Sequence, residues 1–193
     1  MFDDAVTDVP STLSAIEADT VALGFDMPSE RQTGTLLRTL AASCPNSKLL
    51  ELGTGTGLAT AWLLDGMDQS SSLTTVDNDK LATDVALRHL GNDDRLQLCV
   101  EDANIWLTNN SNRSFDLIFA DAMPGKYENF ELIWNMLSIG GMYVVDDMLP
   151  QNNWPEGHAS KVQKFLTELD HRNDCRITKM CWSSGIVLAV RTH

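Results

Sequence analysis

Lys48-Leu-Leu-Glu-Leu-Gly-Thr-Gly-Thr-Gly-Leu-Ala59 decides how this chain of 193 residues is read. A short apolar run enters Gly53, Gly55 and Gly57, and a helical pattern starts at Leu58. Glycines after a strand permit a tight turn and a close backbone approach, and in an open α/β sheet the ligand lies beyond the carboxyl end of such a strand. The spacing argues against two common loops. A dinucleotide fingerprint, G-x-G-x-x-G, needs its third glycine at position 58, where this chain has Leu58. A phosphate-binding P-loop needs Gly-Lys-Ser/Thr after the glycines, and none follows.

Outward from the turn, strand-like runs at Lys48–Leu52, Ser72–Val76, Leu96–Val100, Phe115–Ala120 and Gly141–Val145 alternate with helical segments near Leu58–Leu64, Lys80–Leu90, Ala103–Asn109 and Tyr127–Leu137. Such alternation with short connections predicts a doubly wound α/β domain, its sheet mainly parallel with helices on both faces. A helix opened by Pro28 or Ser29, with Leu36, Leu37, Leu40 and Ala41 on its apolar face, precedes the first strand. Residues 1–27 are acidic and weakly periodic; a helix over Ser11–Leu23 and a mobile arm both fit them, and the domain proper is placed at residues 28–193. Past the loop Leu149-Pro-Gln-Asn-Asn-Trp-Pro-Glu-Gly157, a helix near His158–Leu169 leads to strands Cys175–Met180 and Gly185–Arg191. Only Cys181-Trp-Ser-Ser184 separates those strands, so an antiparallel hairpin at the sheet edge is expected.

The length suits one domain with a sizeable core. No apolar run is long enough to span a bilayer, and the opening MFDDAVTDVP is acidic where a secretion signal is basic, so a cytoplasmic location is expected. A net charge of −13 and no basic patch with interleaved aromatics argue against nucleic-acid and membrane partners and leave a small-molecule substrate. Cys44, Cys99, Cys175 and Cys181 form no CxxC pair and read as buried free thiols.

Acidic residues recur at strand ends. Glu51 repels a diphosphate and suits a ligand bearing an ammonium and a sulfonium. Asp77, in Thr75-Val-Asp-Asn78, lies about 20 residues past the glycines, where a carboxylate accepts from both ribose hydroxyls. The competing reading has Asp77 or Asn78 capping the helix that includes Lys80. Asp102, in Glu101-Asp-Ala103, fits an adenine amino group or another cap. Together these loops describe an adenosine-type ligand. Asp121 closes the fourth strand, and Asp146 and Asp147 close the fifth. If those strands are neighbours the three carboxylates converge, which is favourable only around a cation, and hard oxygens suit Mg²⁺ or Ca²⁺. The competing reading has Asp121 on the cofactor's ammonium and the other two in a solvated loop.

These motifs resemble the class I methyltransferases that use S-adenosylmethionine, more narrowly the branch of catechol and caffeoyl-coenzyme A O-methyltransferases, over roughly residues 28–193. Glu51-Leu-Gly-Thr-Gly-Thr-Gly57 matches the family's first motif, so Glu51, Gly53, Thr54, Gly55 and Gly57 are expected around the cofactor's methionine part. Asp77 with Asn78 matches the ribose segment and Asp102-Ala103 the adenine side. Pro28-Ser29-Glu30-Arg31-Gln32 looks like the segment that touches the methionine end, which brings in Ser29. The resemblance implies a Rossmann-like sheet of seven strands with the last reversed. Metal-dependent members hold a divalent cation through the positions of Asp121, Asp146 and Asp147; the family has Asn where this chain has Asp147. Their lysine three residues past the first metal ligand is Pro124 here, and Lys126 replaces it only if the loop curls inward. Homodimers are common in the family.

The implied activity is in-line methyl transfer to a hydroxyl of a small, flat acceptor. Metal at Asp121, or His158 or Lys126 as base, would activate the hydroxyl. Trp154 and Trp182 are expected as walls of the acceptor site, whereas Trp62, Trp106 and Trp134 fall at core positions of helices. The alternatives are transfer to nitrogen or to RNA, and a cofactor-binding protein without turnover, which Pro124 favours.

Overall fold

A computed structural model describes residues 6–151 and 154–193. The helices are α1 (Leu13–Leu23), α2 (Arg31–Ala42), α3 (Leu58–Gly66), α4 (Lys80–Leu90), α5 (Ala103–Asn109), the short turn α6 (Met123–Lys126), α7 (Phe130–Met136) and α8 (His158–Asp170). The strands are β1 (Lys48–Leu52), β2 (Ser72–Asp77), β3 (Leu96–Val100), β4 (Phe115–Ala120), β5 (Leu137–Val145), β6 (Cys175–Met180) and β7 (Ile186–Arg191). They form one seven-stranded sheet in the order β3-β2-β1-β4-β5-β7-β6. β1 through β5 pair in parallel. β7 alone is reversed, lying antiparallel to both β5 and β6. The fold is the Rossmann-like doubly wound architecture the sequence implies.

Successive residues of the central strands go to opposite cores, as a two-residue side-chain period requires. Leu49, Leu117 and Val144 join Leu13, Ile16, Leu37 and Trp62 beneath α1 to α4. Leu50, Ile118 and Val145 join Trp106, Phe130, Trp134 and Phe165 beneath α5, α7 and α8. Covering on both faces explains why all but one residue of β1 and all but one of β4 are buried rather than alternately buried and exposed.

Residues 6–27 do not stand apart from this body. Leu13 and Ile16 of α1 are fully buried in the first core. Asp19 accepts from Arg88 at 2.5 Å and pairs with His89 Nε2 at 2.8 Å, tying α1 to α4.

Among the boundaries that differ from the sequence reading, two have a clear local cause. The helix expected from Tyr127 begins at Phe130, because Pro124 and Gly125 leave helical space and Asn129 adopts a left-handed conformation at the cap. β5 starts at Leu137 rather than Gly141; a register shift against β4 accommodates the irregular residues between. The cysteines also divide: all are free, but only Cys175 is buried and Cys181 is exposed. Among the described residues no helix is long and apolar enough to cross a membrane.

Candidate active site

The glycine turn lies at the carboxyl end of β1, where Gly53 N–H donates to the Val76 carbonyl of β2 at 2.9 Å. Gly57 adopts φ +92, and a Cβ there would stand 2.8 Å from Cβ of Ala86. Glycine at this position therefore lets α3 begin directly against α4. Gly55 faces Phe25, whose ring a Cβ would meet at 3.3 Å. The segment before α2 thus crosses over the turn, and Ser29 within it donates to Asp121 Oδ2 at 3.2 Å.

Asp77 is pinned to this turn. Its Oδ2 accepts from Gly55 N–H at 2.8 Å and its Oδ1 from Asp79 N–H at 2.8 Å. The cap of α4 is Asp79, which accepts from the amides of Leu81 and Ala82. Capping by Asp77 or Asn78 is thereby corrected, and Asn78 is exposed. Asp102 does cap α5, accepting from Asn104 and Ile105 through Oδ1 alone, with Ala103 buried behind it.

Glu51 behaves differently from an exposed anion. It is fully buried, with Oε2 accepting from Thr60 at 2.5 Å and Thr75 at 2.6 Å, while Oε1 is buried without a partner. Burial pushes its pKa up to about 8, so near neutral pH it is largely the protonated acid. The expected repulsion of a diphosphate by Glu51 therefore loses its charge. Thr54 turns inward too, its hydroxyl 2.6 Å from that of Thr75.

The three candidate metal ligands do not converge. Lys126 Nζ, 4% exposed, sits among them: 3.3 Å from Asp121 Oδ1, 2.9 Å from the Asp146 carbonyl and 4.0 Å from Asp147 Oδ2. The loop does curl inward. Asp146 directs its carboxylate elsewhere, accepting from Thr33 at 3.0 Å, from the Ser184 hydroxyl, and from Asp147 N–H at 2.8 Å. Among the described residues no three His, Cys, Asp or Glu side chains are grouped to hold a metal. The arrangement expected for Mg²⁺ or Ca²⁺ is not seen among the described residues. Lys126 is engaged as a hydrogen-bonding cation rather than standing free as an amine base. Burial raises Asp121 to about 7, with Lys126 opposing the shift and Asp146 and Asp147 adding to it.

Beside this group stands an aromatic cluster. His158 Nε2 lies 3.3 Å from the Tyr127 hydroxyl, and the Trp154 ring centroid is 4.6 Å from that of His158. Trp154 Nε1 is buried with no partner among the described residues. Burial lowers the His158 pKa, helped by Lys126 and opposed by Asp147. Trp182 is elsewhere. It donates to the Gln32 carbonyl at 2.9 Å and lines a groove of about 570 Å³ with Leu36 and Met180. Trp154 packs on the core beneath α5, α7 and α8, and Trp182 on the core beneath α1 to α4. They pack against opposite faces of the sheet. Tyr127 and Phe25 escaped the sequence reading; only the adjacency of Tyr127 to Lys126 hinted at its place.

A doubly wound sheet with a glycine turn after β1 and carboxylates at the carboxyl ends of β1, β2 and β4 defines the class I methyltransferase fold. A family model described as a methyltransferase domain matches residues 50–148. A protein of Mycolicibacterium smegmatis, provisionally named an O-methyltransferase, is 32% identical over 133 residues, covering 66% of this chain and 62% of that protein. The chain thus spans under two thirds of the length of this curated relative. The O-methyltransferase from Bacillus cereus solved with SAH superposes with a TM-score of 0.84 at 19% identity, over 98% of this chain and 94% of that one. TomG, an O-methyltransferase from Streptomyces achromogenes solved with SAM, gives 0.83 at 22% identity, over 100% and 94%. Both structural likenesses establish the fold. The chain belongs to the methyltransferase-domain family.

Proposed function

We propose that this chain transfers the methyl group of S-adenosylmethionine to a hydroxyl oxygen of a small, flat molecule. The observation that carries the reading is Asp77. Its two oxygens are fixed at the glycine turn by one backbone N–H each. A carboxylate has about four acceptor sites, so each oxygen keeps one for a vicinal diol. Asp121, bonded to Ser29, offers an acceptor for an amino-acid ammonium, and Asp102 keeps Oδ2 free of the capping bonds for an adenine amino group. The donor and acceptor set fits the cofactor.

When bound, S-adenosylmethionine supplies a methyl carbon on a sulfonium. The chain's residues have the remaining tasks. Asp77 and Asp121 orient the two ends of the cofactor. Trp154 and Tyr127 offer ring faces to a flat acceptor and exclude water. His158, held in its neutral form by burial, takes the hydroxyl proton at Nε2. The surface charge of −13 disfavours RNA as acceptor.

Calorimetry with S-adenosylmethionine tests the cofactor, and methyl-labelled cofactor with panels of phenols, amines and RNA tests the acceptor. Saturable binding and label in phenols are expected. No heat from a folded sample refutes the cofactor reading; label only in amines or RNA refutes the hydroxyl reading.

A further inference from the structure

We infer that Lys126 is a built-in cation that occupies the electrostatic role of a divalent metal, so that methyl transfer by this chain is metal-independent. The inference rests on the functional reading above but concerns the chain's own carboxylates. Three aspartates follow the adjacent strands β4 and β5. Asp146 is buried, Asp121 largely buried and Asp147 partly exposed, and carboxylates gathered in this way are stabilised by a positive partner. Here that partner is covalent. Nζ lies within 4.0 Å of an oxygen from each of Asp121, Asp146 and Asp147 while almost wholly buried.

The backbone is shaped to deliver it. Pro124 is extended and Gly125 takes φ +87, so the chain turns inward ahead of α7. A Cβ on Gly125 would come within 2.6 Å of Leu52 Cδ1, which reserves the position for glycine. The Gly125 carbonyl is held by the buried Tyr143 hydroxyl at 2.5 Å. The lysine thus reaches the centre from a position displaced along the loop from the one implied by resemblance. Asp146 agrees with this assignment. Thr33, Ser184 and the Asp147 amide take three of the roughly four acceptor sites on its carboxylate, whereas the ammonium uses its carbonyl and leaves them in place.

The test is titration of the whole protein with Mn²⁺, with and without S-adenosylhomocysteine, together with turnover in EDTA. No saturable heat and unchanged turnover are expected. A saturable heat that Asp121→Asn removes, or turnover lost to EDTA and restored by Mg²⁺, overturns the inference. Thermal unfolding of Lys126→Gln and Lys126→Arg supplies a second measure. Lys126→Gln should melt lower than Lys126→Arg; equal melting temperatures would show that the aspartates need no internal cation. The Mn²⁺ and melting results stand whether or not the cofactor binds, so failure here is distinguishable from failure of the functional reading.

Discussion

The backbone N–H of Gly55 donates to the Asp77 carboxylate across 2.8 Å, joining the turn after β1 to the end of β2. The contact fixes a charged acceptor against a loop whose two threonine hydroxyls are engaged by Thr75 and Thr20. Asp77→Ala should weaken S-adenosylmethionine binding by at least tenfold, since bonds to a charged group contribute about 1.5–3 kcal/mol each. Asp77→Asn should fall between Ala and wild type. Calorimetric affinities check the order, and equal affinities for all three proteins would remove Asp77 from the site.

Gly57→Ala should destabilise the chain by about 1–3 kcal/mol, through left-handed strain and overpacking. The new Cβ would sit 2.8 Å from that of Ala86 and 3.1 Å from Leu90 Cδ1. Denaturant unfolding measures the loss. The combined change Gly57→Ala with Ala86→Gly should recover part of it, because it relieves the clash but leaves the strain.

Glu51 and Asp174 should give stability opposite pH slopes. Burial holds the Glu51 proton up to about pH 8 in the folded chain, against 4.5 for an ordinary glutamate. The folded state binds the extra proton across that window, so stability falls as pH rises through it. Asp174 is lowered to about 2 by Arg172, aided by the Trp134 N–H. Its contribution is present above 3.8 and is lost as pH falls toward 2. Calorimetric melting should show Glu51→Gln flattening the decline between about pH 4.5 and pH 8, and Asp174→Asn flattening the acid limb below 3.8.

His158→Gln should lower turnover by about 10²-fold or more while leaving cofactor affinity unchanged. The groups facing His158 are Lys126 and Lys161, which oppose its protonation, Asp147, which favours it, and the hydroxyl of Tyr127. Its pKa lies below 6.5, so turnover should rise with pH through the mildly acidic range and be level near neutrality. An unchanged profile in His158→Gln would assign the proton to another group. Tyr127→Phe should shift the limb without abolishing turnover.

Local pattern carried much of the fold. Lys48–Leu52, Leu96–Val100, Phe115–Ala120 and Cys175–Met180 are strands at the boundaries their apolar runs predict. The glycine turn, Asp77 and Asp121 were legible because strand ends in a parallel sheet share one edge. The partners of those residues were not. Thr33 meets Asp146 from 113 positions away, and Ser184 from 38. A polar residue on a helix or turn carries no local mark of such a distant bond. Trp154 and Trp182 show the same limit. Each sits in a polar loop, yet only the strand order places them against opposite cores.

The reversal of β7 has a consequence for how the site matures. Because β7 runs back between β5 and β6, the turn before it returns to the edge where β5 ends, and Ser184 there completes the hydrogen bonding of Asp146. On a chain emerging from a ribosome, β1 to β5 can assemble early, but Asp146 keeps an unmet bond until residues 184–191 have been made and inserted. A nascent chain stalled before them would hold a nearly finished sheet beside an unfinished carboxylate centre. Competence for chemistry would then arrive in one late step, with the docking of a single antiparallel strand.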